Sequence, residues 1–513
     1  MKDKWLKGTI VLTISALLTK ILSMLYKIPY QNRVGDAGLY VFQQVYPLLG
    51  IYTILSTVVL PSIISEVLLA HQYNEQVKIQ IQKILWLFSV LAFALLFLGS
   101  DLIALAMGDR GLGSPIRWVG MVFLLLPHLS YLRGVHLTRP ETMARVGISI
   151  TIEQLVRVLM IFIAIFNFGH LNIYRIAEMS FLLGLGGPVA SILYLGFFKR
   201  EDEPRQFIKK KVRLRFFRKT AYLFLSAGIL TIFQLIDSFV VFNSLLVRAD
   251  LNSLEAMIQK GVFDRGFPII QASTFFIGAI VSSTLPQMIK AKEQKEKQNV
   301  FNYALFLITS LSIPAAVGLY LVMPYLNVAL FEDKLGTGAL QVLSLQVVFY
   351  PFIVLTAAVL QQEERYGDMV LSVLAGIFIK LVATPLLTER LGIYGTALSS
   401  VLALGTMALV NLFKFRGMLI RQSFFNVIKI GFATLCMWLA VDYLQPILPY
   451  IFEGGHYRTF NVMALLLQAL AGGLVYGLIL LLFILTTRTA PKPSKGRKRR
   501  KRVNRARPKN TAR

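Results

Sequence analysis

The chain has 513 residues, of which 56% are hydrophobic and 16% charged, with a net charge of +28 and a mean hydropathy of +0.63. This balance excludes a soluble domain: apolar segments of spanning length recur from end to end, the pattern of an all-α polytopic membrane protein. The single cysteine, Cys436, excludes an intrachain disulfide, and the positive charge is concentrated in short connections and a C-terminal tail, where it reports topology before it reports a partner.

The hydropathy rule predicts about fourteen transmembrane helices. They lie near 8–29, 39–69, 83–107, 115–136, 146–167, 173–198, 220–243, 265–289, 300–323, 338–360, 369–388, 392–413, 425–448 and 460–487. The first, GTIVLTISALLTKILSMLYKIP, lacks a small-residue cleavage site and reads as a retained helix, not a signal peptide. Lys20 and Lys27 lie inside it, seven residues apart, and two helical turns place both on one face. A lysine at bilayer depth costs roughly 3 kcal/mol, and such residues usually face a polar cavity. Lys27 is close enough to the helix end to snorkel instead, and Lys20 has the alternative of an ion pair to a neighbouring helix. A wet, cationic cavity suited to an anionic ligand is the reading that uses both.

Charge in the connections sets the orientation. One alternating set holds Lys2, Lys4 and Lys7, Lys78 and Lys83, Arg139 and Arg145, the run from Lys199 to Lys219, Lys290 to Lys297, Lys414 to Arg421, and the tail. The opposite set holds Arg33, Arg110, Arg175, Lys334, Arg390, Arg458 and a few residues in 244–264. Both termini are therefore expected in the cytoplasm of a multi-pass plasma-membrane protein.

The longest basic connection, 199–219, divides six spans from the rest. The halves look weakly alike: Thr9, Ser15 and Ala16 recur as Thr220, Ser226 and Ala227, all offset by 211 residues, and the Leu-Pro of STVVLPSIISE (Pro61) recurs in VSSTLPQMIKA (Pro286). A chance match of small residues is the alternative. The expected layout is an N-lobe at 1–198, a linker at 199–219, a C-lobe at 220–414 and two further helices at 425–487. In transporters built from such repeats, the substrate site lies between lobes near the midplane. The tail, 488–513, has almost no apolar residues and is not expected to fold. Each of its basic residues contributes about 1 kcal/mol of attraction to an anionic leaflet. No aromatic residue interrupts its basic run, and no specific nucleic-acid partner is expected.

Other charges at membrane depth are few. Glu153 and Arg157 are four apart and are expected to pair as a structural element; Glu178 reads as interfacial. Asp237 lies inside FQLIDSFVV, Lys380 inside GIFIKLVATP, and Arg265 follows Asp264 in VFDRGFPII. An Asp and a Lys on different helices imply either a mutual salt bridge or a cation site. Catalytic readings fail. The histidines His71, His128, His136, His170 and His456 form no HExxH and no metal-ligand spacing, and no P-loop occurs. Neither an enzyme nor a cofactor is expected.

The segments KIPYQNRVGDAGLYVFQQVYPLL at 27–49, LPSIISE at 60–66, FQLIDSFVV at 233–241, and GVFDRGFPIIQ with STLPQMIKA at 261–291 carry a resemblance. The chain resembles the multidrug/oligosaccharidyl-lipid/polysaccharide (MOP) exporter superfamily over roughly residues 1–487. Within it, the nearest branch looks like the polysaccharide biosynthesis proteins related to stage V sporulation protein B and to MurJ-type lipid II flippases. The resemblance implies a V-shaped pair of lobes, alternating access, and a cationic cavity for the pyrophosphate of a lipid-linked oligosaccharide. A monomer in contact with membrane lipids is expected. Carried over residue by residue, Arg265 matches the basic residue after Asp in helix 8, and Lys20 and Lys27 occupy the region of the basic residues of helix 1. Asp237 matches an acid that helps hold sodium in some relatives, and helices 13 and 14 would form the groove for a polyprenyl tail. The chain departs from the family in PLLGIYTILS, where some flippases carry arginine, and at Lys380, where a sodium site would want Asn or Asp. A tethered ammonium would then stand in for sodium, leaving membrane potential or protons as the drive. A cation-coupled multidrug exporter and a non-transport scaffold in cell-wall or spore assembly are the alternative functions.

Overall fold

The computed structural model describes residues 2–70, 74–198, 214–248, 250–274, 277–291, 293–451 and 457–486. The described residues form helices and short connections. In the first half these are α1 (Lys2–Leu25), α2 (Lys27–Ile54), α3 (Leu60–Ala70), α4 (Glu75–Leu98), α5 (Ser100–Ala106), α6 (Gly113–Val122), α7 (Leu126–Leu137), α8 (Met143–Phe168), α9 (Ile173–Gly184) and α10 (Gly186–Gly196). In the second they are α11 (Leu214–Ala227), α12 (Ile229–Leu246), α13 (Ser253–Asp264), α14 (Gly266–Ser273), α15 (Ile277–Lys290), α16 (Gln294–Phe331), α17 (Thr337–Ser344), α18 (Gln346–Gln362), α19 (Tyr366–Leu391) and α20 (Ile393–Phe415). The chain closes with α21 (Arg421–Leu444), α22 (Leu448–Ile451) and α23 (Tyr457–Thr486).

Among the described residues, 12 helical stretches are long and apolar enough to cross a membrane. The expectation of about fourteen differs at two places. The first stretch runs from Ile10 to Ala70 over 61 residues, so two expected spans form one helical run, bent at Gly35 and joined to α3 through a π-helical turn at Leu55–Val59. The expected span 265–289 is divided between α14 and α15, neither of spanning length. The basic linker is described only from residue 214, and residues 487–513 lie outside the described residues.

Local chemistry sets the helix ends. Asn74 accepts from the Gln76 and Val77 amides, Asn172 from the Tyr174 amide, and Asn252 and Glu255 form a reciprocal capping box, each satisfying donors that a helix start leaves orphaned. The outward faces carry Leu98, Phe197, Leu193 and Leu470, all exposed, as lipid-facing surfaces require. The helix α23 is the extreme case, with 11% of its spanning window buried. One apolar cluster runs from Tyr26 through α10 and includes Val241, Phe242, Leu245 and Ala256 of α12 and α13. Separate clusters fill the second half. The first cluster thus crosses from one half to the other along α2.

Candidate functional site: a charged seam along α2, α12, α13 and α19

The element α2 carries the motif 27–49 and lies against both α12 and α13. Gln44 Nε2 donates to the Ser238 carbonyl at 2.6 Å, in the buried interior. At one end of the bundle the approach is closer still: a Cβ at Gly261 would collide with the Asp36 carbonyl. The bend that presents Asp36 is made by Gly35 at φ 77°, ψ 178°, a region open essentially to glycine alone.

Asp36 meets Arg265 there. Arg265 Nε donates to Asp36 Oδ1 at 2.7 Å and Nη2 to Oδ2 at 2.5 Å. The same guanidinium grips Asp333 with two bonds of 2.8 Å each. Its side chain is 0% exposed and stacks over Phe331 at 5.0 Å. Asn327 adds its side-chain oxygen at 3.3 Å and is itself held by donating to the Leu335 carbonyl and Thr337 Oγ1. One fork with two bidentate carboxylates uses the planar donor geometry of arginine fully. The result fastens α2 to α13, α14 and the turn after α16. This end also holds Gly336 against Val262 and Gly392 beside Gln259 and Arg248, so the connections expected outside the cell gather around it.

Deeper along the seam lie three lysines and two aspartates. Lys380 of α19 sits 2.6 Å from Asp237 of α12, with side chains 0% and 2% exposed, and its ammonium also donates to Ser400 Oγ at 2.5 Å and Ser399 Oγ at 3.4 Å. Lys260 of α13 donates to Asp264 Oδ1 at 2.5 Å, both groups buried. Lys27 of α2 is buried, with its ammonium over the Tyr46 ring at 4.2 Å and no hydrogen-bond partner among the described residues. It lies in Coulombic reach of Asp264, which in turn feels Lys260 and Asp237. The Lys20 side chain lies outside the described residues.

A second buried cluster stands within the first half. Glu153 and Arg157 pair, and Arg133 joins them: Arg133 Nη2 donates to Glu153 Oε2 at 2.7 Å. Arg133 also reaches Ser149, Ser191 and the Ser56 carbonyl. The expected pair is thus a triad with one excess positive charge. Glu178, expected at the interface, accepts from Arg175 and from Trp118 Nε1.

Four participants were missing from the sequence reading: Asp36, Asp333, Lys260 and Arg133. Lys260 had a signal, since it stands four residues before Asp264, the spacing of a helical ion pair. Arg133 had one as well, being a charge three residues inside a predicted span. Asp36 and Asp333 had none beyond their places in connections, where carboxylates are ordinary. Among the described residues no group of three or more His, Cys, Asp or Glu is placed to hold a metal.

The polysaccharide biosynthesis protein family model matches residues 5–292. The uncharacterized membrane protein YabM of Bacillus subtilis (strain 168) is 33% identical over 81% of this chain and 81% of its own length. The lipid II flippase MurJ of the same organism is 24% identical over 93% of this chain and 95% of its own length, and stage V sporulation protein B is 23% identical over 80% and 83%. In three dimensions the fold is similar to that of a lipid II flippase MurJ in an inward closed conformation, with a TM-score of 0.70, 13% identity and coverage of 93% of this chain and 99% of that one. The chain belongs to the polysaccharide biosynthesis protein family, and is a multi-pass membrane protein related to MurJ-type flippases and stage V sporulation protein B.

Proposed function

We propose that this protein is an alternating-access flippase that moves a lipid-linked oligosaccharide, held by its polyprenyl-pyrophosphate end, across the bacterial plasma membrane. In this reading the chain crosses fourteen times, as two six-helix lobes plus α21 and α23, with both termini cytoplasmic. The observation that carries it is Lys27: a buried ammonium at the seam with no hydrogen-bond partner among the described residues. A cation kept in that condition suits an anionic cargo that arrives and leaves. A pyrophosphate crossing hydrocarbon without compensation is prohibitive, and several lysines and arginines supply that compensation reversibly. A cationic drug would need a surplus of carboxylates or an open aromatic cage; the inner seam has three lysines against two aspartates.

Lys20, Lys27 and Arg265 are the proposed substrate contacts, and Asp237 with Lys380 the proposed coupling pair. Arg265 is engaged by Asp36 and Asp333, so its turn comes when that end opens and phosphate oxygens replace the carboxylates. Lys380 occupies the place of a monovalent cation beside Asp237, which makes transport independent of sodium. The experiment is to deplete the protein and identify the lipid-linked intermediates that build up on the inner leaflet. Accumulation of a polyprenyl-pyrophosphate glycan is the expected result. Unchanged intermediates together with altered drug resistance would overturn the proposal in favour of a drug exporter.

A further inference from the structure

Asp264 occupies an unusual position in the seam. One oxygen of its carboxylate accepts from Lys260 at 2.5 Å, one helical turn away. The other, Oδ2, is buried with no hydrogen-bond partner among the described residues. Lys27 is in the mirror condition: a buried ammonium over Tyr46, without a hydrogen bond, in Coulombic reach of Asp264. Lys27 comes from the first half of the chain and Lys260 from the second. An ammonium from each half therefore acts on one carboxylate, Lys260 through a hydrogen bond and Lys27 through the Coulombic field alone.

We propose that Asp264 is a resident stand-in for the cargo's diphosphate, neutralising Lys27 and Lys260 while the carrier is empty and giving them up on loading, and that Lys260 is a further diphosphate-binding residue. The inference rests on reading the protein as a carrier of a polyprenyl diphosphate. An empty cluster of ammonium groups in a low-dielectric interior is strongly unfavourable. A tethered anion removes that penalty and stays behind when cargo leaves. A diphosphate offers more oxygens and more charge than a carboxylate, so it can bond Lys27 and Lys260 together, which Asp264 does not. Displacing Asp264 also moves the turn between α13 and α14. Arg265, which fastens α2 to this turn, is the next residue in the chain, so loading would be felt at that fastening without a longer path.

The test is calorimetric titration of the purified full-length chain in detergent with inorganic pyrophosphate and, in parallel, with a polyprenyl diphosphate. Asp264→Asn is expected to bind about tenfold more tightly than the unaltered protein, and adding Lys260→Gln to it should remove the gain. The same ranking with both probes assigns recognition to the diphosphate; a gain with only one assigns the cargo to that source, lipid-linked or free, and still supports the stand-in. Unchanged or weaker binding by Asp264→Asn, with the unaltered protein binding normally, overturns the stand-in and leaves the carrier reading intact. Absence of binding in every form overturns both. If Asp264→Asn is not recovered folded, Asp264→Ser, which leaves room for water beside Lys260, is judged by the same comparison.

Discussion

Lys380 shows how a single charge can be kept where hydrocarbon-like packing surrounds it. Its ammonium has Asp237 at 2.6 Å and the Ser400 hydroxyl at 2.5 Å, with no exposed surface. Removing one partner of such a pair strands the other, at a cost of about 3–5 kcal/mol in soluble proteins. Lys380→Ala should therefore lower thermal stability in detergent sharply, and sodium should restore part of it by refilling the place beside Asp237. The unaltered protein should melt and function alike in sodium and potassium salts; sodium-dependent activity there would contradict the tethered-ammonium account. Asp333 behaves differently because it lies in a connection. Burial pushes its carboxyl up, but the bonds from Arg265 and the Leu335 amide outweigh burial and hold it below the usual 3.8. A depressed carboxyl contributes stability that is present above its unfolded value and lost as pH falls through the folded one. Neutral and mildly acidic media should thus leave this end shut, and only stronger acid should loosen it. Hydrogen exchange at the Leu335 amide, which donates to Asp333 at 2.8 Å, reads this directly: protection lost between neutrality and pH 5 would contradict it.

Among the elements, α2 carries the most consequence, because its bend decides where Asp36 points. A Cβ on Gly35 would touch nothing within 4 Å, so Gly35→Ala tests backbone strain alone. It should cost on the order of 1–3 kcal/mol, visible as a lower melting temperature and a weaker Asp36–Arg265 grip; no change in either would mean the bend is relaxed. These elements are unevenly legible in the sequence, for physical reasons. Helices announced themselves through apolar runs, and Asp237, Lys380 and Arg265 stood out because a charge inside such a run is conspicuous. Asp36 and Asp333 did not, since carboxylates in connections carry no signal until the fold closes them on one guanidinium. Lys260 was lost in a connection that turned out to be a helix, α13, whose C-terminal end is buried. Two spans merged because the turn at Tyr26 and the bend at Gly35 leave the helical run nearly continuous.

For the molecule as a whole, the two ends of the seam are held unequally. Arg265 and its two carboxylates make a tight fastening at one end. At the other, Lys219 pairs with Glu66 at 2.5 Å, but these side chains are 22% and 56% exposed. An exposed pair contributes roughly 0–1 kcal/mol, so Lys219→Ala should leave stability and transport nearly unchanged, checked by melting and by complementation. Arg265→Ala should abolish complementation with membrane expression intact, and Arg265→Lys should keep only part of it, because an ammonium cannot hold two carboxylates in bidentate geometry. A cationic seam that carries a lipid diphosphate should support transfer of a labelled polyprenyl-pyrophosphate glycan between leaflets in proteoliposomes containing the purified protein. The expected result is transfer by the unaltered chain and none by Lys27→Ala or Arg265→Ala at equal folded protein; transfer by both variants at the unaltered rate would mean that the seam does not carry the diphosphate.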